Sequence, residues 1–223
     1  MNPIKRLASQ TAIYGLSSIL GRFLNYLMVP LYTYVFSKAE YGIVSEFYSY
    51  TGFLGTLLVL GFETGFFRFG QDAENKEKVY STALNFVLIA NLVFIVLIAV
   101  FVSPISSALK YPDHHEYFYW FALILVFDSV ASIPFARLRS ENRALQFAVI
   151  KFSEIGFTVL LNLFFIVVCK HAFETDASSF FGKFYNPEIG VGYIFISNLI
   201  ASSLKLLLLT PQLKGILGGI DGA

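Results

Sequence analysis

From Val79 to Ser103 the chain carries no charged side chain, a run longer than the roughly 20 apolar residues a helix needs to cross a bilayer. In lipid every backbone polar group must be paired within the protein, so a run of this kind has one economical outcome, a membrane-spanning helix. Comparable windows fall at 11–36, 43–67, 117–136, 145–169 and 190–210. With 80–103 they predict six spans. Charged residues are 14% of the chain, against about 25% in soluble domains, so composition agrees with the windows. The expected fold class is an all-α integral membrane protein, with a six-helix transmembrane lobe over 1–214 and a short tail over 215–223.

Charge placement predicts the orientation. Alternate connections carry Lys5, Arg6, Arg68, Lys76, Lys78, Arg137, Arg139, Arg143 and Lys214, whereas the others carry only Lys38, Lys110, Lys170 and Lys183. The positive-inside rule places the richer set, and with it the N-terminus, in the cytoplasm. Tyr41, Tyr48, Tyr50, Tyr111, Tyr117, Tyr119 and Trp120 gather near span ends, where amphipathic rings prefer the headgroup layer.

Polar residues inside the spans are the candidate functional groups. A cation near the middle of a bilayer is costly unless it meets an anion or a wet cavity, and Arg22 lies about halfway along the first window. Counting 1.5 Å per residue puts Asn25, Asn91, Asp128, Asn162 and Asn198 at similar depth in the first, third, fourth, fifth and sixth spans. Such groups are expected to face inward, around a shared cavity or an interhelical hydrogen-bond network, with Asp128 the resting counter-ion of Arg22. Glu63 lies a turn from the basic end, with Arg68 or a first-helix group as its expected partner, and Glu46 plays the corresponding role at the other end near Lys38. Lys151 and Lys205 are expected to snorkel along their stems to the surface. Glu154, three residues beyond Lys151, is expected to pair with it.

Signals for catalysis are thin. His114, His115 and His171 all fall in connections, and the chain has no His-Glu-x-x-His pattern, no Gly-rich phosphate loop and a single cysteine, Cys169. No catalytic residue, metal site or cofactor is therefore assigned. The net charge of +1 gives no reason to expect a nucleic acid partner.

Read as one string, Ala8 to Ser18, Gly21-Arg-Phe-Leu-Asn-Tyr-Leu-Met-Val-Pro-Leu-Tyr-Thr33, Tyr41-Gly42 and Gly61-Phe-Glu-Thr-Gly-Phe-Phe-Arg-Phe69 resemble the bacterial lipid-linked oligosaccharide flippases. These are polysaccharide biosynthesis proteins, of the O-antigen flippase type, in the multidrug, oligosaccharidyl-lipid and polysaccharide exporter superfamily. The resemblance is strongest over Gln10 to Phe69. It implies a multi-pass protein of the bacterial inner membrane that exports an undecaprenyl-pyrophosphate-linked glycan by alternating access between two six-helix lobes. Arg22 matches a first-helix cation that faces the anionic substrate in that family. Asn25, Asn91, Asn162 and Asn198 are then expected to meet sugar hydroxyls, with Asp128 and Glu63 as ion-coupling or counter-ion groups. Members of the family are about twice this long, so the chain resembles the N-terminal lobe, with a second lobe or second copy as partner. A cation-coupled multidrug antiporter and a non-transporting assembly subunit remain the alternatives.

Overall fold

The computed structural model describes residues 3–70 and 76–213, with side chains from Thr11 onward except those of Ser18, Arg22 and Asn25. The described residues are helical throughout, apart from turns: α1 (Pro3–Val35), α2 (Lys38–Val59), α3 (Phe62–Phe69), α4 (Lys76–Ala108), α5 (His115–Ser140), α6 (Ala144–Asn162), α7 (Lys170–Thr175) and α8 (Gly192–Leu213). A π-helical stretch, Leu163–Cys169, joins α6 to α7, so 144–175 reads as one long rod. The protein is an all-α membrane protein. Five helices are long and apolar enough to span a bilayer, and the α2–α3 pair makes six when counted as one broken span.

That break departs from the single span expected at 43–67. α2 starts on a capping box, in which the Ser37 hydroxyl accepts the Glu40 N–H and the Glu40 carboxylate accepts the Ser37 N–H. It ends at Leu60 and Gly61, which take φ values of 54° and 70°. Two successive left-handed residues cannot continue a right-handed helix, and α3 leaves at 43° to α2. Its anchor is Phe66, 1% exposed, which meets the Tyr80 ring edge-on at 5.8 Å. The Gly61-x-x-x-Gly65 spacing thus marks a hinge. A Cβ at either glycine would have no neighbour within 4 Å, so these positions are not helix contacts.

α5 is the central helix. In its most apolar window 67% of residues are buried, against 13% for α1 and 17% for α4. It packs against α4 on one flank and α8 on the other, with α2 laid across it; α8 then packs on α6, and α6 on α1. The α1–α6 contact uses a small residue, since a Cβ on Gly21 would come within 3.0 Å of Ile155 Cδ1. α1 barely touches α2. At the end away from Arg137 and Arg139 the core is aromatic: Phe47 lies 4.9 Å from Phe118, 5.4 Å from Phe121 and 5.3 Å from Phe195, ring centre to ring centre. Lipid gives no hydrophobic drive between helices, so this geometry matters; each such pair contributes about 0.5–1.5 kcal/mol beyond area burial.

Candidate functional site

The weak contact between α1 and α2 leaves a cleft bounded by α1, α2, α5, α6 and α8. Its middle section, about 420 Å³, has Ser17, Gly21, Tyr48, Thr51, Asp128, Glu154, Thr158, Asn198 and Ser202 on its walls. Toward the aromatic end it shares Tyr48, Thr158 and Asn198 with a pocket of about 160 Å³, to which Tyr32, Tyr41 and Ser45 also contribute. Toward the basic end it shares Asp128 and Lys151 with a pocket of about 260 Å³ that reaches Glu63, Arg139 and Lys205. Through these shared walls the three lie end to end along the lobe, a path of mixed polar and apolar lining.

An ionic chain crosses the path at mid-depth. Lys205 Nζ, on a side chain 2% exposed, lies 2.5 Å from Asp128 Oδ1 and 2.5 Å from Glu154 Oε1. The Ser202 hydroxyl donates to the same Asp128 oxygen at 2.8 Å, and Lys151 Nζ donates to the other Glu154 oxygen at 3.1 Å. Lys151 Nζ also sits 4.8 Å above the Phe135 ring, a cation–π contact that helps hold it at the wall. Asp128 is 12 residues from the end of α5, or roughly 18 Å at 1.5 Å per residue, so the network lies well inside a bilayer about 30 Å thick. Two carboxylates balance two ammonium groups there. The carboxylates differ in setting: Glu154 is 15% exposed and fixed between two lysines, whereas Asp128 is 43% exposed and faces the cleft.

The groups expected from the sequence fall in different places. Asp128 is on the cleft wall, and its described cationic partner is Lys205. Arg22 and Asn25 belong to α1, but their side chains lie outside the described residues, and so does the expected Arg22–Asp128 pair. Asn198 lines the cleft, its amide donating to Ile194 O at 2.8 Å. Asn91 is elsewhere, donating to Val87 O and, across to α2, to Leu58 O. Asn162 is fully buried and donates to Thr158 O. Neither lines the three pockets. Glu63 does, at the basic end, and its partner is Arg139 at 2.5 Å rather than Arg68. Glu46 accepts from the Tyr50 and Tyr111 hydroxyls at 2.9 and 2.7 Å. Burial, and then the bond to Glu46, push the Tyr111 phenol up to about 12, so it stays a donor.

The Lys151–Glu154 pair matches the sequence expectation. Lys205 does not, because its ammonium turns inward to two carboxylates instead of reaching the surface. A signal for this was present: Asn198, Ser202 and Lys205 fall at i, i+4 and i+7, a polar stripe that contains the only charged residue of α8. Lys151, Glu154 and Thr158 form the facing stripe on α6. Among the described residues no cluster of His, Cys, Asp and Glu has the makings of a metal site.

Neither curated proteins nor solved structures give a significant match to this chain. A family model described as polysaccharide biosynthesis protein matches residues 33–174, which takes in α2 to α6 and so includes Asp128, Lys151 and Glu154. That match covers more than half of a chain whose helices enclose a charged intramembrane cleft, and the protein belongs to the polysaccharide biosynthesis protein family.

Proposed function

We propose that the chain is a transport lobe that moves an undecaprenyl-pyrophosphate-linked oligosaccharide across the bacterial plasma membrane, with its basic end in the cytoplasm. The carrying observation is the ionic chain on the cleft wall. A soluble catalyst has no use for two lysines and two carboxylates at the centre of a membrane bundle, whereas an amphiphilic anion crossing the bilayer needs a path where its charge is met. In this reading the incoming diphosphate takes the place of Asp128 beside Lys205, and Glu154 keeps the lysine aimed at the cleft. Arg22 supplies further positive charge from α1. Asn198 and Asn25 offer amides to the sugar, whose hydroxyls both donate and accept. Translocation follows from rocking this lobe against a second one, or a second copy, around the fixed charge.

The test is export in a strain lacking its own flippase, read as surface glycan. Arg22→Ala and Lys205→Met are each expected to abolish it, and Arg22→Lys and Lys205→Arg to restore part of it. Unimpaired export by both loss-of-charge variants overturns the reading. Resistance to lipophilic cations without glycan export would identify the antiporter alternative instead.

A further inference from the structure

Between α7 and α8 lies a segment, 176–189, that spans nothing and yet exposes three phenylalanines: Phe180 at 71%, Phe181 at 44% and Phe184 at 50%. Its backbone is tightly organised. Asp176 Oδ1 accepts the Ser178 N–H and hydroxyl at 2.9 and 2.7 Å. Ser179 Oγ accepts the Gly182 N–H at 3.1 Å, and a Cβ at Gly182 would stand 2.8 Å from Asp176 O, so only glycine fits the turn. The Tyr193 hydroxyl closes the far side, accepting the Asn186 N–H at 2.7 Å and donating to Phe184 O at 3.1 Å. The turn is held by its own short-range bonds, with Asp176, Ser178, Asn186 and Glu188 left exposed at the water side, while the three rings are exposed as well and have no polar face of their own.

The rings also have a direction. Phe180 lies 5.3 Å from Phe181 and 5.5 Å from Phe184, and the last two reach back to Phe164 at 6.1 and 6.3 Å. Phe164 belongs to the long 144–175 rod, more than two turns before its end, so the loop folds down along the flank of that span instead of rising from it. The same rod exposes Leu160, Leu163, Val167 and Val168. The loop rings therefore extend a surface that already faces acyl chains. Exposed Lys183 sits among them, with a stem long enough to carry its ammonium up to lipid phosphates.

We infer that the segment 176–189 is a monotopic anchor, whose Phe180, Phe181 and Phe184 rings insert into the leaflet at the end of the lobe opposite Arg137 and Arg139, with Lys183 at the phosphate level. The occupant of this patch is lipid, because the patch is continuous with the flank of a spanning helix and carries a cation suited to phosphates. The anchor holds the α6–α7 end of the lobe at a set depth.

The probe is tryptophan. Trp120 is the only one in the chain, so Phe180→Trp and Phe184→Trp, each in a Trp120→Phe background, report on the loop alone. In bilayer nanodiscs, emission is expected to be blue-shifted and quenched severalfold more by acyl-brominated phosphatidylcholine than by its unbrominated parent, with little quenching by acrylamide. Red-shifted emission quenched by acrylamide and not by bromine puts the loop in water and overturns the anchor. Blue-shifted emission quenched by neither puts a protein surface over the patch and overturns it equally. Should Trp120→Phe fail to fold, a spin label on Phe180→Cys in a Cys169→Ala background, compared for oxygen and nickel-chelate accessibility, reads the same depth.

Discussion

Lys205 Nζ stands 2.5 Å from both Asp128 Oδ1 and Glu154 Oε1, joining α8 to α5 and α6 across the floor of the cleft. Removing one member of a buried ionic group leaves the others uncompensated, which costs about 3–5 kcal/mol. Lys205→Met and Glu154→Gln are expected to fall in that range, since Lys205 is 2% and Glu154 15% exposed. Asp128→Asn is expected to cost clearly less, because Asp128 is 43% exposed and Glu154 still faces the lysine. Cys169, the only thiol and fully buried, supplies the readout: its reaction with a thiol-activated dye during heating reports Tm in detergent. Equal loss of Tm for Asp128→Asn and Glu154→Gln would show that their settings do not differ.

The cleft is expected to hold water. With Cys169→Ala as background, Ser45→Cys and Ser132→Cys, on the walls of its aromatic-end and basic-end sections, should react with a membrane-impermeant thiosulfonate. Ser197→Cys, at a position with no exposure, should not. Reaction at Ser197 comparable with that at Ser45 would mean that the reagent follows general loosening of the bundle and not a built path.

Six apolar windows were legible because helix rise and bilayer thickness together set a minimum run of roughly 20 residues, and nothing soluble imitates it. The break at Leu60–Gly61 was not, since glycine spaced by four reads as a close helix contact in lipid and the left-handed pair is a property of the backbone. At the site, counting from span ends supplies depth without azimuth. Depth alone put Asp128, Asn91, Asn162 and Asn198 at one level and treated them alike, although only Asp128 and Asn198 line the cleft. Azimuth was available in the polar stripe of α8, where Lys205 follows Ser202 and Asn198 at helical spacing. That stripe, and not distance from the boundary, decides where the ammonium points.

Glycine substitutions separate contact from conformation. A Cβ on Gly192 would lie 2.7 Å from the Trp120 ring and 2.8 Å from the Tyr117 ring, neither free to retreat, so Gly192→Ala is expected to cost about 1–3 kcal/mol through overpacking. Gly55→Ala meets nothing within 4 Å inside a helix and is expected to be neutral or stabilising by about 0.4–1 kcal/mol. Gly61→Ala also meets nothing, but its φ of 70° makes it destabilising by roughly 1 kcal/mol from backbone strain alone. Dye-reported Tm values in the order Gly55→Ala, Gly61→Ala, Gly192→Ala, from highest to lowest, check all three. A Gly61→Ala protein as stable as Gly55→Ala would remove the hinge.

The asparagines should divide by role. Asn162 is fully buried against its own helix and Asn91 ties α4 to α2 through Leu58 O, so truncating either removes packing and bonding inside the bundle. Asn162→Ala and Asn91→Ala are expected to lower Tm by the equivalent of about 1–2 kcal/mol each, as buried side chains that lose hydrogen bonds do. Export should then fall only in proportion to the protein that reaches the membrane. Asn198 is half-buried on the cleft wall, with its own amide bonded to Ile194 O, so Asn198→Ala should leave Tm nearly unchanged. If the cleft carries the glycan as proposed, its defect should appear in surface glycan per molecule of protein, because the lost group is one that lines the cleft. The comparison needs both measurements on each variant: export normalised to protein in the membrane, and Tm in detergent. If Asn198→Ala exports normally while Asn162→Ala fails at full abundance, the sugar path does not run along this cleft.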